Sequence, residues 1–243
     1  MLDNAQAEKV SGNEKTAKNA LIGMKHAIDE HGRVLRDNVW GSQQEDAARR
    51  DFTINAMYYD PERHIIVDYH HGFADCRRHI IQLIGDPATR YREDPVRILR
   101  AVRFAAKLEN LGFVIEKRTA APIAQSKDLL LEIPQSRMFD EALKLLQTGH
   151  AEASLRQLHK AGLVGAKKGI YPLLDLIAQR ADAPLVQAAL RDTDRRIQEG
   201  KSAAAYFLLA CVLWEEVETS WQALQAAGEH IIPALSTAID EVF

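Results

Sequence analysis

The 243 residues carry 31 Lys and Arg against 34 Asp and Glu, a formal charge of −3. That balance excludes a globally basic nucleic-acid binder but leaves room for local arginine clusters. A 47% hydrophobic fraction supports a substantial core in one large domain or two small ones, while Cys76 and Cys211 are too few for a disulfide framework. With no long apolar run and no amino-terminal signal pattern, the expectation is a cytoplasmic protein with no membrane partner.

In chain order, Met1–His31 is polar and alanine-rich. Ala17–Ile28 reads as a short helix, and residues 1–30 as a whole as a weakly structured segment. His31–Asp37 is a basic turn-and-strand candidate. Ser42 and Glu45 have the spacing of a capping box, so a helix is expected to begin there, with Trp40 before it as a core anchor. Through Glu45–Met57, Phe52, Ile54 and Met57 can bury while Asp51 and Asn55, four apart, point together. Two readings stay open for this segment. It is a capped amphipathic element, or Arg50 contacts a phosphate while Asp51 and Asn55 order a sugar or the arginines.

Met57–Asp60 and His64–Tyr69 are strand-like, with Pro61-Glu62-Arg63 as their turn. Gly72 permits a bend, Asp75–Arg78 a short turn and His79–Ile84 a further strand, with a boundary near residue 87. His70, His71 and His79 have neither HExxH nor finger spacing, so they are read as turn and edge residues and no metal ligand is assigned. Dinucleotide and P-loop glycine motifs are absent.

Arg90–Leu108 is the densest stretch. Glu93-Asp94-Pro95 suits a helix start, and Ile98, Leu99, Val102, Ala105, Ala106 and Leu108 form an apolar side. Arg97, Arg100 and Arg103 recur every three residues along another side. They are a solvated charged face, or Asp94 and Arg97 face a nucleotide with the later arginines near phosphates. Beyond Leu108 the pattern is helical: Ile115–Gln125, Pro134–Thr148 with Ser136 as cap, Ala151–Ala161, Tyr171–Gln179, Pro184–Gln198, Ser202–Glu215, Ser220–Ala227 and Ile232–Val242. Trp214 and Trp221 are expected in the core.

RRDFTINAMYYD (residues 49–60) and RYREDPVRILRAVRFAAKL (residues 90–108) resemble signatures of the class II tRNA nucleotidyltransferase and poly(A) polymerase superfamily. IPQSRMFDEALKLLQTGHA resembles its bacterial poly(A) polymerase branch more particularly. The resemblance implies an α+β chain: a weakly structured segment over residues 1–30, part of a β-containing nucleotidyltransferase head over 31–87, a helical neck over 88–152 and a helical body over 153–243. It implies transfer of AMP from ATP to an RNA 3′-hydroxyl, with ATP and RNA 3′ ends as partners and Mg²⁺ as the family cofactor.

By motif position, Arg50, Asp51 and Asn55 contact nucleotide, Asp94 and Arg97 read the base edge, and Arg100 and Arg103 lie near phosphate or RNA. The family's Gly-rich turn and paired metal-binding carboxylates have no counterpart in Met1–Ala48, and the one Asp-x-Asp, Asp192-Thr193-Asp194, lies in a helical region. No catalytic or metal-ligating residue is therefore assigned, and the expectation is a truncated chain with little or no turnover. The alternatives are a CCA-adding tRNA nucleotidyltransferase fragment or a noncatalytic RNA- and nucleotide-binding remnant.

Overall fold

The computed structural model describes residues 24–28, 34–165 and 169–242, with strands 24–28 and 34–40 described by backbone alone. The chain divides into two compact units. One is the chain up to Glu93 together with Leu111–Pro122, and the other is Asp94–Asn110 together with the chain from Ile123 onward. The fold class is α+β.

In the first unit, β1 (Met24–Ile28) pairs antiparallel with β2 (Val34–Trp40), in a register that sets Met24 opposite Trp40. This corrects the expected helix over residues 24–28, where cross-strand pairing overrides a modest local preference. The rest of the segment expected to be weakly structured, and the side chain of Trp40, fall outside the described part.

Helix α1 (Gln43–Arg49) starts on the expected capping box. Ser42 Oγ accepts from the Glu45 amide at 3.3 Å, and Glu45 Oε2 accepts from the Ser42 amide at 2.8 Å. The helix does not run on to Met57. Arg50 turns extended at φ −67° and ψ 162°, because Phe52, fully buried, pairs with Leu83 in an antiparallel bridge. A single 3-10 turn, Thr53–Asn55, follows. Asp51 and Asn55 are thus not helical neighbours, and their four-residue spacing does not place them on one helix face.

Strands β3 (Met57–Asp60) and β4 (Ile65–Asp68) form an antiparallel hairpin. Helix α2 (Gly72–Arg78) replaces the expected short turn. The Asp68 carboxylate nucleates it by accepting from the amides of Gly72 at 3.0 Å and Phe73 at 2.9 Å. His71 and His79 flank this helix in left-handed conformations, φ 62° and 55°.

Strand β5 (Ile80–Ile81) and helix α3 (Pro87–Glu93) complete the first part of this unit, and β6 (Val114–Ile115) pairs parallel with β5. The boundary expected near residue 87 therefore lies after Glu93, and Leu111–Pro122 returns to the first unit. Thr119, fully buried, fixes the return: its Oγ1 accepts from the Leu83 amide at 3.1 Å, and its carbonyl accepts from the Tyr91 hydroxyl at 2.9 Å. Short helices α5 (Lys117–Ala120) and α6 (Ile123–Ser126) stand where one longer helix was expected, interrupted at Pro122.

The second unit is helical. Helix α4 (Val96–Lys107) buries Ile98, Leu99, Val102, Ala105 and Ala106 at helical spacing. That face packs on α7 (Gln135–Leu146) and α8 (Ala151–Lys160), whose Leu145, Leu155 and Leu158 are buried. Ser136 does not cap α7; Pro134 occupies that position without a side-chain cap. Helices α9 (Pro172–Gln179) and α10 (Pro184–Gln198) follow. The two helices expected over residues 202–227 are one, α11 (Ala205–Ala226), which continues through Glu216–Thr219 and packs on α12 (Ile231–Val242). Trp214, at 39% exposure, is not a core residue.

Candidate nucleotide and RNA site

In the first unit, Arg50 is the centre of a small network. Its Nε and Nη2 donate to Asp46 Oδ2 at 3.3 and 3.1 Å, and its Nη1 donates to the Asn55 carbonyl at 2.9 Å. The guanidinium carbon lies 5.0 Å from the Tyr58 ring centroid, within cation–π range. Tyr58 in turn donates its hydroxyl proton to Asp46 Oδ2 at 2.7 Å. One N–H on each terminal nitrogen of Arg50 has no partner among the described residues. The side chain is fixed on one edge and half-exposed on the other, an arrangement able to donate two charge-assisted hydrogen bonds to a phosphate.

The electrostatics of the network agree with this geometry. Burial works to raise the Asp46 carboxyl, but hydrogen bonds from Tyr58 and Arg50 outweigh it and hold the group below its ordinary value. The Tyr58 hydroxyl is pushed up to about 12 by burial and by the adjacent Asp46, so it remains a proton donor throughout the neutral range. Asp46 follows the helical i,i+4 acid–base spacing to Arg50 and was legible as a partner in that sense. Tyr58 carried no such signal.

Two further elements hold the backbone of this segment. Arg90 Nη2 donates to the carbonyls of Arg49 and Arg50 at 3.0 and 2.9 Å, supplying a cation at the end of α1. Asp51 accepts from the Ile84 amide through its carbonyl at 2.9 Å. Gly72 sits against the carbonyl of Thr53, while Thr53 Oγ1 donates to buried Asp75 at 2.7 Å. Arg50 and Asn55 are thus brought together through the Asn55 carbonyl, with Asp51 between them in the chain.

Asp94, Arg97, Arg100 and Arg103 belong to the second unit. Arg97 is on the first turn of α4, its amide donating to the Asp94 carbonyl at 3.1 Å. The Asp94 carboxylate accepts from Arg137 Nη2 at 2.8 and 3.0 Å, a contact that spans 43 residues and left no local trace in the sequence. Arg103 Nη1 lies 3.4 Å from Glu141 Oε2, and Lys144 Nζ lies 2.8 Å from Glu141 Oε1. Glu141 is 4% exposed, so two cations compensate a carboxylate that would otherwise be buried alone. Arg97 and Arg100 are half-buried.

Among the described residues, no three His, Cys, Asp or Glu side chains gather as a metal site. The Asp-x-Asp pair is committed elsewhere: Asp192 accepts from Arg195, and Asp194 Oδ1 accepts from the Ala151 amide at 2.6 Å, capping α8. No helix among the described residues is long and apolar enough to cross a membrane.

Residues 4–82 match the family model described as poly A polymerase head domain, and residues 112–166 match the one described as probable RNA and SrmB-binding site of polymerase A. The chain is 40% identical over 218 residues to Poly(A) polymerase I of Escherichia coli O6:H1, an alignment covering 88% of this chain and 46% of that protein. It is 48% identical over 105 residues to a CCA-adding enzyme of Limosilactobacillus fermentum, covering 43% of this chain and 25% of the relative. A solved tRNA-processing enzyme in its apo form shares the fold with a TM-score of 0.54 at 22% identity, covering 93% of this chain and 63% of its own. The chain spans about half the length of the poly(A) polymerases it matches.

Proposed function

Because this chain belongs to the bacterial poly(A) polymerase family of the class II tRNA nucleotidyltransferase superfamily, we propose that it binds ATP and RNA 3′ ends, the two reactants of adenylate transfer. The observation that carries the reading is the fixed Arg50 guanidinium, with two N–H donors left over by Asp46 and Asn55. A side chain already ordered in its donor geometry loses little freedom when a triphosphate arrives. Asp51 and Asn55 complete this phosphate and sugar contact region.

Asp94 and Arg97, three residues apart at the start of α4, read the base edge; a forked guanidinium reports the acceptor pattern of adenine. Arg100 and Arg103 lie nearer the RNA phosphates. In the family reaction AMP moves from ATP to the RNA 3′-hydroxyl and pyrophosphate leaves. The part of it assigned to this chain is binding and orientation of the two reactants.

Equilibrium titration with ATP, alongside gel-resolved extension of an RNA bearing a free 3′-hydroxyl in the presence of Mg²⁺, tests the reading. Saturable ATP binding with little or no extension above a no-protein control is expected. Absence of ATP binding would overturn the nucleotide site, and chelator-sensitive AMP addition would overturn the restriction to binding.

The second reading, a CCA-adding activity, is favoured by the 48% identity to a CCA-adding enzyme over 105 residues. It predicts that CTP binds as well as ATP.

A further inference from the structure

A cavity remote in sequence from the motifs above lies in the second unit between the end of α10 and the start of α11. Its volume is about 380 Å³, and Asp192, Thr193, Arg196, Ser202, Tyr206 and Phe207 line it. That volume falls in the range of small-ligand sites. Two consecutive aromatic side chains at its wall are unusually open, Tyr206 at 79% and Phe207 at 48% exposure. Arg196 donates its Nε to the Ser202 carbonyl at 3.0 Å, which fixes the guanidinium beside the cavity. Its two terminal nitrogens have no partner among the described residues. The Asp192 carboxylate is engaged by Arg195, which offsets its charge at the cavity wall.

Exposed aromatic faces next to a fixed guanidinium are the chemistry that holds an unpaired nucleotide: the base stacks and the phosphate meets the cation. Residues 191–201 are net positive in a chain whose formal charge is −3. We infer that Tyr206, Phe207 and Arg196 form a binding site for one unpaired nucleotide of single-stranded RNA, held by stacking with little choice of base. The inference rests on the RNA partner proposed above. It adds a contact outside residues 112–166, the stretch whose family model carries an RNA-binding description.

The test is anisotropy of a labelled single-stranded oligoadenylate RNA, with ATP affinity measured on the same preparations. Tyr206→Ala combined with Phe207→Ala is expected to weaken RNA binding by about 5- to 150-fold, the effect of losing one base–aromatic stack. Tyr206→Trp is expected to retain it, because stacking rather than the hydroxyl is used. Arg196→Gln is expected to lower the slope of log affinity against log salt by about 0.7, one phosphate contact on a single strand.

RNA affinity equal to the parent's in the double variant would overturn the inference while leaving the ATP site standing. With one adenylate of the strand replaced by 4-thiouridine, crosslinks that fall only outside residues 192–207 would overturn it equally. Tyr206-dependent RNA binding without ATP binding would do the reverse, supporting this site and removing the nucleotide reading.

Discussion

Gly72→Ala is the most informative single perturbation of the first unit. A Cβ at this position would stand 2.1 Å from the Thr53 carbonyl oxygen and 2.8 Å from its carbon. A carbon approaching a carbonyl oxygen normally stops at about 3.3 Å, so one backbone must retreat by about 1 Å. The neighbour is main chain, not the flexible end of a side chain. Thr53 is also tied on its other sides, by its amide to the Gln82 carbonyl at 3.0 Å and by its hydroxyl to buried Asp75 at 2.7 Å.

Overpacking of this kind costs about 1–3 kcal/mol, and one weakened buried hydrogen bond adds about 1 kcal/mol. The expected loss is about 2–4 kcal/mol by urea unfolding followed by circular dichroism. The displaced carbonyl belongs to the Thr53–Asn55 turn, whose Asn55 carbonyl accepts from Arg50, so ATP affinity should fall even where the variant is fully folded. An unfolding free energy within about 0.5 kcal/mol of the parent, with unchanged ATP affinity, would refute the claim that Gly72 sets this turn.

Asp46→Asn should weaken ATP binding by releasing Arg50, without removing the guanidinium itself. The Asp46 carboxyl is held below its ordinary value, so its stabilisation is full above the unfolded value of about 4 and is lost as pH falls through the lower folded value; an acid-unfolding series should show that component in the parent and not in Asp46→Asn. Arg103→Ala leaves buried Glu141 with Lys144 alone and is expected to cost about 2 kcal/mol by urea denaturation, with Glu141→Gln in the same background recovering part of it. Leu158→Ala, at a fully buried position on α8, is expected to cost about 2–5 kcal/mol in the same assay and to leave ATP affinity per folded molecule unchanged.

The helical part of the fold was largely open to reading, because its signal is periodic. Pro184–Gln198 has the bounds expected from its apolar spacing, and α4 buries the residues its pattern nominates. The misreadings arise where backbone pairing between strands or bridges overrides the local pattern. Arg50 leaves the helix because Phe52 bridges to Leu83, and Met24–Ile28 is extended because it pairs with β2. Leu111–Pro122 returns to the first unit through β6 and Thr119. Leu83 lies far along the chain from both Phe52 and Thr119, so no local window contains those partners, whereas β1 and β2 are neighbours in sequence and approach most closely at Ile28 and Val34.

The candidate site divides the same way. Arg50 and its i,i+4 partner Asp46 are locally legible, whereas Tyr58, Arg90 and Arg137 act across the fold. Asp94 illustrates the difference. Its place at the start of α4 follows from sequence, but its carboxylate is held by Arg137, a residue that solvation alone would have explained.

Nucleotide binding and base choice are tested together by a paired titration of ATP and CTP against the parent chain, Arg97→Ala and the control Arg63→Ala, with circular dichroism to verify folding. Arg63 is an exposed turn residue between β3 and β4, paired weakly with Asp60 at 3.9 Å. The parent and Arg63→Ala should bind ATP more tightly than CTP. Arg97→Ala should lose that preference, by about 1–3 kcal/mol if one forked contact reads the base. Equal ATP and CTP affinities across all three folded proteins would rule out Arg97 as the base reader.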